Sequence, residues 1–556
     1  MSAFKRYVRW TLPGLALLAV AVVLPSAAAG GKATSTHARI NTSTAIAGVF
    51  GTNHARVVTS LPTGGHAVRG TVPFPTGKDA RYKAAKAAAA AEYALNASGA
   101  RPGYAGAQSP LVPPAIRGRN FAGVDQSIAC NCVPPDTEGV VGQSHFLETS
   151  NSHIDIYQKG PGNPPPLVYS QPASTFWATN HFPCDQRTLY DSTWKRYIVI
   201  GISCEDTSNP NAIFLAASIT SNPTAGFYNY GAIGWPDNFC DYPILGQNQD
   251  AITVTCNVFQ TNPAGGWLRA DMFSVAKARI FNGLGFFVPV FSVANGTLTP
   301  PNVFDADQNA NAYYAAGGVF CASNTCGSSG IIPIYVGDHL ANPAQTTLAF
   351  AGNVSIPTYS IPPSAPCGNG FPNTACIDTL EARFVNDGTQ IGGDLYLIHS
   401  PAVGGPFAGL GYYRIDLASL TAPDWVRTFS SGTSFDFNAS LAATDTGNVV
   451  ISFTTVCFVD CNGGGNQANP EVRMAGRTSG DPGGAGTTQI NMPGTLLRIS
   501  PAPYFGGRWG DYSAVSADPQ NYASEGCGAF QRFWTVNEWD SSSSNWSTHI
   551  SRDGYC

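Results

Sequence analysis

Short runs of alternating apolar and polar residues recur from about residue 120 to the last residue of the chain. Each run is bounded by Gly, Pro, Asn, Asp or Ser and is rich in β-branched and aromatic residues, as in R-Y-I-V-I-G-I-S (196–203). Alternation with a period of two is typical of β-strands. The pattern therefore predicts an all-β body in which many short strands are joined by turns.

The all-β body consists of repeated sequence units. Seven units can be aligned, each of which starts with Asp or Asn, passes through an alternating strand and turns into a second strand. The units begin near Asp136, Asp185, Asp241, Asp305, Asp378, Asn438 and Asp511. A period of about 50 residues with several short strands per unit is typical of propeller blades. We predict a single β-propeller of about seven blades over residues 119–556; six or eight blades, or two β-sandwiches, are the alternatives.

The start of the chain follows another pattern. Lys5, Arg6 and Arg9 precede an apolar run of about 14 residues, and small residues follow at 26–29. This order is typical of a signal peptide, and the run is shorter than the roughly 20 residues that span a bilayer. We predict a signal peptide over residues 1–29, no transmembrane span after its cleavage, and a secreted protein that is extracellular or periplasmic.

Residues 30–118 are poor in aromatic residues and rich in Ala, Gly and Pro. The stretch D-A-R-Y-K-A-A-K-A-A-A-A-A-E-Y-A-L (79–95) predicts one short helix, and a segment rich in helix breakers follows it. We interpret residues 30–118 as a low-complexity pro-segment or tether. The alternative is a basic patch that binds an anionic cell envelope.

Composition and charge narrow the class of protein. The chain has 60 Gly and 41 Pro among 556 residues, which excludes a fold dominated by long helices. Its net charge of -5 hides an asymmetry, because residues 1–119 hold 14 Lys and Arg against 2 Asp and Glu, whereas residues 120–556 hold 16 against 33. An acidic body argues against nucleic acid as a partner.

All 14 cysteines lie at or after residue 130, and an even number is typical of disulfides formed in an oxidising compartment. Cysteines that face each other across a hairpin lie equally far from its turn. This symmetry predicts the pairs Cys184–Cys204, Cys240–Cys256, Cys321–Cys326 and Cys527–Cys556. Short loops would be closed by Cys367–Cys376 and Cys457–Cys461. Cys130 and Cys132 are too close in sequence to bridge easily; pairing elsewhere is the alternative, and the sequence leaves their partners open.

Four strings carry a family resemblance: P-P-D-T-E-G-V-V-G-Q-S-H-F (134–146), D-Y-P-I-L-G (241–246), A-T-D-T-G-N-V-V-I-S-F (443–453) and R-W-G-D-Y-S-A-V-S-A-D-P (508–519). They resemble strings of a family of exported bacterial β-propellers whose architecture is related to that of sialidases. The resemblance implies the fold and export, and it assigns no activity. The F-R-I-P string and the S-x-D-x-G-x-T-W boxes of sialidases have only partial counterparts here, Y-R-I-D (413–416) and D-T-G-N (445–448).

The positions of the unit starts predict a ligand site. In a propeller the innermost strand of each blade lines the axis, so a residue that opens this strand lies at one rim of the central channel. We expect five residues at this axial rim to bind ligand: Asp136, Asp185, Asp241, Arg508 and Asp511. Repulsion among the carboxylates would be relieved by backbone donors in turns or by a bound cation. Arg508 and Asp511 are also expected to form a structural junction before the last blade.

A calcium ion is the one cofactor that the sequence suggests. The segment D-A-D-Q-N-A-N (305–311) has the alternate-oxygen spacing of calcium loops, with Asp305, Asp307 and Asn309 as candidate ligands. It lacks the Gly at its sixth position and the acidic residue at its twelfth, which is Ala316. An EF-hand is thereby excluded, and a looser calcium loop stays open.

The usual signatures of serine hydrolases, zinc proteases and P-loop nucleotide binding are absent from the sequence. The leading hypothesis is a secreted, disulfide-stabilised propeller that binds an extracellular glycan or another envelope component. The alternative is an exo-acting, sialidase-like glycoside hydrolase or a lyase, so enzymatic activity stays open. Candidates for a sialidase-like arginine cluster are Arg187, Arg383, Arg414, Arg473 and Arg508. Tryptophans that could stack on a sugar or fill the space between blades are Trp177, Trp235, Trp267, Trp425, Trp509, Trp534, Trp539 and Trp546.

Overall fold

The computed structural model describes residues 56–58, 61, 79–96, 114–205, 211–235, 238–261, 266–286, 288, 290–304, 311–317, 327–328, 330–338, 347–367, 375–380, 382–457, 468–481, 490–506 and 508–556. Strands predominate among them, and one helix of 18 residues is the longest that they contain. No helix in these ranges is long and apolar enough to cross a membrane. The predicted signal peptide, the Cys321–Cys326 pair and the calcium loop of Asp305, Asp307 and Asn309 lie outside the described residues.

Three elements come from the N-terminal segment: β1 (Arg56–Val58), α1 (Asp79–Asn96) and β2 (Ala115–Asp125). The helix lies where the alanine-rich stretch predicts it. β1 pairs with the fourth strand of the second blade, and β2 begins four residues before the predicted boundary at 119. Parts of the segment are therefore built into the propeller rather than tethered to it.

The strands of the first three blades follow in chain order, and each blade is an antiparallel meander. They are β3 (Glu138–Val141), β4 (His145–Ser150), β5 (His153–Gln158), β6 (Leu167–Pro172), β7 (Pro183–Asp191), β8 (Arg196–Ser203), β9 (Ala212–Ser218), β10 (Phe227–Gly234), β11 (Phe239–Gln247), β12 (Ala251–Phe259), β13 (Trp267–Ala276) and β14 (Val290–Val293). Three short helices lie beside them, α2 (Gln126–Ala129), α3 (Ala173–Trp177) and α4 (Lys277–Ile280).

The strands of the other four blades continue the pattern, with a few short strands between them. They are β15 (Leu298–Thr299), β16 (Pro301–Val303), β17 (Asn311–Ala316), β18 (Gly327–Ser328), β19 (Ile331–Asp338), β20 (Thr347–Ser355), β21 (Tyr359–Ser360), β22 (Ala365–Pro366), β23 (Ala375–Ile377), β24 (Gly388–Ile391), β25 (Asp394–His399), β26 (Leu410–Asp416), β27 (Thr421–Phe429), β28 (Phe435–Ala443), β29 (Val449–Val456), β30 (Pro470–Arg477), β31 (Ile490–Asn491), β32 (Thr495–Ile499), β33 (Ala514–Ala517), β34 (Arg532–Ser542) and β35 (Asn545–Gly554).

The first strands of the blades form a closed ring. β3 contacts β7, β7 contacts β11, and the β15–β16 segment of blade 4 follows, with β16 pairing in parallel with both β11 and β24. β24 contacts β28, β28 contacts β33, and β33 returns to β3. Seven sheets arranged around one axis in this way form a seven-bladed propeller. The prediction of one propeller is thereby confirmed, and the two-sandwich alternative is wrong.

The last blade joins the two ends of the body. Its sheet has the order β2–β35–β34–β33, so the outermost strand comes from the N-terminal side and the other three from the C-terminal end. Phe121 lies opposite Ile550 in this register. Closing a ring with a backbone ladder between distant parts of the chain prevents the first and last blades from separating without loss of hydrogen bonds.

Aromatic side chains fill the space between blades. Phe146 of blade 1 stacks on Trp534 of blade 7 with ring centroids 5.1 Å apart, and Val536 and Ile550 complete this cluster. Gly139 makes the packing possible, because a Cβ there would lie 2.6 Å from the Phe146 ring. Close packing of this kind between neighbouring sheets supplies the hydrophobic core that one blade alone lacks.

Three predicted cysteine pairs, Cys184–Cys204, Cys240–Cys256 and Cys527–Cys556, are disulfides in the structure. The mirror symmetry behind the prediction holds only approximately. Cys184 lies opposite Ile202, and Cys240 lies opposite Val258, so each cysteine faces a residue two positions from its disulfide partner. Cys367 and Cys457 are also disulfide-bonded.

Cys130 and Cys132 correct one expectation, because they bond to each other rather than elsewhere. Asn131 between them adopts a left-handed conformation with φ of 53°, and the two Cα atoms lie 5.1 Å apart. That separation is within the usual range for a disulfide. Closeness in sequence is therefore no obstacle where the intervening residue tolerates a left-handed turn.

Candidate ligand site at the axial mouth

The innermost strands bend at equivalent places near their first residues. Asp136 before β3, Asp185 in the bulge of β7, Tyr242 in the bulge of β11 and Asn438 in the bulge of β28 all have φ between 46° and 57°. Asp and Asn tolerate the left-handed region better than other residues with a side chain. This backbone requirement explains the Asp or Asn at three unit starts, Asp136, Asp185 and Asn438; in the third unit the left-handed residue is Tyr242, which follows Asp241.

Asn151 joins the Asp136 carboxylate to the Asp185 backbone. The Asn151 side chain, in the turn between β4 and β5, donates to Asp136 Oδ2 over 2.5 Å, and its Oδ1 accepts from the Asp185 backbone N–H over 2.9 Å. The last blade contributes two more donors. The backbone N–H of Asp511 donates to Asp136 Oδ1 over 2.7 Å, and the Tyr512 hydroxyl donates to Asp185 Oδ2 over 2.9 Å. Blades 1, 2 and 7 thus meet in one hydrogen-bonded cluster.

Arg508 completes the junction that the sequence predicted. Its Nη2 lies 3.0 Å from Asp511 Oδ2. Burial disfavours the charged guanidinium, but Asp511, Asp136, Asp185 and Asp378 more than compensate, so the pKa of Arg508 is raised. Its charge therefore neutralises part of the carboxylate cluster.

Gly510 allows this junction to approach the neighbouring strands. Its backbone N–H donates to Glu538 Oε2 over 2.6 Å, and a Cβ at this position would lie 2.9 Å from the same oxygen and 3.2 Å from the Asp136 nitrogen. Only glycine fits without displacing these groups. The R-W-G-D-Y string (508–512) is distinctive because each polar or small residue in it has a packing role.

A second layer below the carboxylates closes the axis. Arg187 is fully buried; it donates to Glu138 Oε2 over 2.8 Å, to Asn386 Oδ1 over 3.0 Å and to the backbone oxygens of Pro243 and Val385 over 2.9 Å each. These partners belong to blades 1, 3 and 5. A side chain of blade 2 can reach blade 5 only across the axis. We call the end of the axis that carries Asp136, Asp185, Asp511 and Arg508 the axial mouth, and Arg187 forms its floor.

Two tyrosines separate the layers. The Arg187 guanidinium carbon lies 3.4 Å from the Tyr512 ring centroid, and the Tyr242 and Tyr512 rings pack edge to face at 4.7 Å. The Tyr242 hydroxyl donates to the backbone oxygens of Val385 and Asp511. Cation–π packing stabilises a buried guanidinium that is already paired. The tyrosines are themselves buried, so they position the site and do not offer a face to ligand.

Burial shifts the titration of several carboxyl groups at the mouth. It raises the pKa of Asp185 to about 7, aided by the charges of Asp241 and Asp511, and that of Glu138 to about 7 despite the opposing effect of Arg187. Burial and the charges of Asp511 and Asp185 raise the pKa of Asp136 well above its usual range. The cluster therefore holds protons near neutral pH, where it offers hydrogen-bond donors as well as acceptors.

The predicted rim residues can now be placed. The charges of Asp241 and Asp511 act on Asp185, those of Asp185 and Asp511 act on Asp136, and Arg508 lies among these carboxylates. Asp305 lies outside the described residues. Blade 4 begins at β15, several residues before the predicted start of the fourth unit near Asp305.

The five candidate arginines lie in different parts of the propeller and do not form one cluster. Arg187 and Arg383 are buried beside Tyr242, with the Arg383 guanidinium 4.0 Å from its ring centroid, and Arg508 lies above them. Of these three, Arg508 has an exposed side-chain fraction of 29%. Arg414 pairs with Asp394 at the other end of the blades. Arg473 is buried beside Glu471 in blade 6.

The tryptophans favour the packing interpretation over sugar stacking. Six of the eight candidates are buried, namely Trp177, Trp235, Trp509, Trp534, Trp539 and Trp546. A ring that stacks on a sugar must offer one face to solvent. These six fill the core instead.

The described residues contain one group of three potential metal ligands, Cys184, Asp185 and Cys204. Both cysteines are in a disulfide, so their sulfurs are not available as thiolate ligands. At the rim, the Asn151 side chain and the Asp511 backbone N–H donate to Asp136, and the Tyr512 hydroxyl donates to Asp185, so these donors come from elsewhere in the chain and not from the turn at each strand start.

Sequence reasoning missed several residues of the mouth. Asn151 lies in a turn with no motif around it, and Tyr242 and Tyr512 lie in the strings 241–246 and 508–519 without having been assigned a role there. Arg187 was a candidate only for a sialidase-like arginine cluster. The missed residue nearest to a detectable signal is Asp378, which starts the fifth unit and contributes to the raised pKa of Arg508. Its place in the repeat would have assigned it to the rim.

No family model matches the chain, and no curated protein matches it. Solved structures that are similar to it include a Dyadobacter fermentans protein of unknown function, 12% identical, covering 68% of this chain and 95% of that chain with a TM-score of 0.32. A Trypanosoma rangeli sialidase in complex with sialic acid is 10% identical over 76% of this chain and 59% of that chain, with a TM-score of 0.35.

An exo-β-1,3-galactanase from Phanerochaete chrysosporium is 9% identical and covers 79% of this chain and 99% of that chain, with a TM-score of 0.29. Identities and TM-scores at this level assign no residue role. The seven-bladed architecture rests on the strand pairing of the chain itself.

Proposed function

We propose that the protein is a secreted, disulfide-stabilised β-propeller that binds an extracellular glycan, or another component of the cell envelope, at its axial mouth. The observation that supports this proposal is the partly exposed set of Arg508, Asp511 and Asp378, whose side chains are 29%, 11% and 30% exposed. A guanidinium beside carboxylates offers donors and acceptors at short spacing, as vicinal sugar hydroxyls require. The buried layers below hold this set in place.

The second candidate function is exo-acting glycoside hydrolysis or a lyase reaction at the same mouth. A general acid must hold a proton near neutral pH, and burial raises the pKa of Asp185 to about 7. Asp185 lies close enough to Asp511 for the Asp511 charge to act on it, so two carboxyl groups share the site. Asp185 is itself buried, and a substrate would reach it only past Asp511 and Arg508.

A glycan array and a panel of chromogenic glycosides distinguish the two functions. Both are run on the full chain and on its Lys86→Met variant, because Lys86 of α1 contacts Asp378 at the mouth. Array binding without hydrolysis, lost in Arg508→Met, supports binding alone. Hydrolysis that is lost in Asp185→Asn supports the enzyme. Absence of both in both proteins would contradict a glycan site at this mouth.

A further inference from the structure

Helix α1 contacts the propeller through a buried lysine. Lys86 Nζ donates to Thr379 Oγ1 over 2.6 Å and to the Pro362 backbone oxygen over 3.0 Å, and it lies 3.3 Å from Asp378 Oδ1. One turn further along, Ala89 packs against Ile361. Lys83, one turn earlier, is exposed. The helix therefore meets the body along the face that carries Lys86 and Ala89.

Among the α1 side chains that the structure describes, Ala85 and Ala89 pack against the body beside Lys86, and alanines bury little apolar surface. Burying an ammonium group is costly unless oxygens replace its water. Three oxygen acceptors surround Nζ, which matches the three N–H donors of an ammonium group. The ammonium contacts thus form the specific part of the docking.

The oxygen atoms that contact the Lys86 ammonium group lie at the axial mouth. Asp378 and Thr379 immediately precede Leu380, which packs with Tyr242 and Tyr512 in one buried cluster. The charge of Asp378 is also among those that act on Arg508. The Lys86 ammonium therefore lies at the rim of the same mouth that holds Arg508 and Asp511.

We propose that Pro362 O, Asp378 and Thr379 form an ammonium-binding subsite of the mouth, and that Lys86 occupies it in place of an amino group of the ligand. This inference rests on the proposed function and narrows it to glycans with free amino groups. Helix α1 is then an intramolecular cap on the site. An acetylated amine would lose the charge and two of the three donors, so the subsite discriminates against it.

Matched variants of the full chain test the subsite: Lys86→Met, the control Lys83→Met on the exposed face of the same helix, and Lys86→Met combined with Asp378→Asn. The probes are D-glucosamine and N-acetyl-D-glucosamine, titrated by NMR or calorimetry. Lys86→Met is expected to bind D-glucosamine about tenfold or more tighter than the wild type, since no lysine competes for the oxygens. Lys83→Met should match the wild type.

Lys86→Met is expected to bind N-acetyl-D-glucosamine no tighter than the wild type does. The variant that combines Lys86→Met with Asp378→Asn is expected to show no gain in affinity for D-glucosamine. Equal affinity of Lys86→Met for both sugars, or no gain for D-glucosamine, would overturn the ammonium subsite. Unchanged binding of D-glucosamine after Asp378→Asn would do the same.

Hydrogen exchange of the α1 amides tests the cap without any ligand. Lys86→Met should lose protection over residues 79–96, whereas Lys83→Met should retain it. Unchanged protection in Lys86→Met would overturn the cap. A different result is that Lys86→Met loses protection in α1 but gives no signal on the glycan array or the glycoside panel. That result would overturn the proposed function, whereas the conclusion that Lys86 holds α1 on the body would remain.

Discussion

The two ends of the blades carry aspartates in different surroundings. At the start end, Asp136 and Asp185 are buried and receive donors from blades 1 and 7, and the pKa of Asp185 is raised to about 7. At the far end, Asp416 lies at the surface and accepts from the Ser419 backbone N–H and hydroxyl over 2.7 Å each, which lowers its pKa. The first arrangement joins blades, and the second caps a single turn.

Charged pairs differ between the ends in the same way. Arg187 at the start end is fully buried and bonds across the axis to three other blades. At the far end a cavity of about 410 Å³ lies between blades 5 and 6, and its Arg414 is 44% exposed and pairs with Asp394 of its own blade. The same cavity also holds Arg477, which is buried and pairs with Asp424 of blade 5. What distinguishes the start end is therefore a single buried guanidinium that bonds to three other blades at the axis.

The largest difference is expected from Arg187→Met. Removing the guanidinium leaves Glu138 and two backbone oxygens without their donor in a buried place, so we expect a loss of about 3–5 kcal/mol in the free energy of unfolding. Urea unfolding followed by tryptophan fluorescence measures it. A loss below about 1 kcal/mol would show that the floor of the mouth is not held by this network.

Arg414→Met is the matched control at the far end. Because its ion pair with Asp394 is open to solvent, we expect a loss of no more than about 1 kcal/mol. A loss as large as that of Arg187→Met would remove the distinction between the two ends.

The next effect concerns pH. A carboxyl group with a native pKa of about 7 keeps its proton where the unfolded chain has lost it, so the free energy of unfolding falls as pH rises from about 4 to about 7. Asp185→Asn removes this dependence. Relative to the wild type, the variant should gain up to about 1.4 kcal/mol per pH unit across that window. Denaturant unfolding at several pH values measures how the free energy of unfolding changes with pH in the wild type and in the variant. Equal slopes for the two proteins would contradict a raised pKa of Asp185.

Asp416 is expected to affect the pH dependence of the free energy of unfolding in the opposite direction. Its native pKa is lowered, so the group stabilises the folded state above the unfolded pKa of about 4, and this contribution disappears as pH falls through the lower native value. Exposure keeps the effect small. We expect Asp416→Asn to follow the wild type above pH of about 5 and to deviate only in acid; deviation near neutral pH would contradict this assignment.

Much of the fold could be predicted from the sequence because blades repeat. Alternation within strands and the recurrence of Asp or Asn at bulges are local features, and both survive in the pattern of residues. The fourth unit was misplaced because β15 and β16 open blade 4 without such a residue. The closure of blade 7 by β2 has no local signal, since it depends on pairing between residues more than 400 positions apart.

The candidate site was predictable only in part for a similar reason. Repeated positions brought Asp136, Asp185, Asp241 and Asp511 to one rim, but their partners come from elsewhere in each blade. Tyr512 and Asn151 hold these carboxylates through contacts that depend on three-dimensional packing. The role of Lys86 is the clearest example, because its partner Asp378 is distant in sequence and α1 by itself shows only a helical composition.

Glycan-array binding by matched arginine variants tests the central claim most directly. The Lys86→Met protein, in which the mouth is expected to be open, serves as the parent, and Arg508→Met and Arg414→Met are each added to it. If the start end is the ligand site, Arg508→Met abolishes the array signals of the parent and Arg414→Met preserves them. Array signals that survive Arg508→Met and disappear with Arg414→Met would place the site in the cavity between blades 5 and 6 and contradict this account.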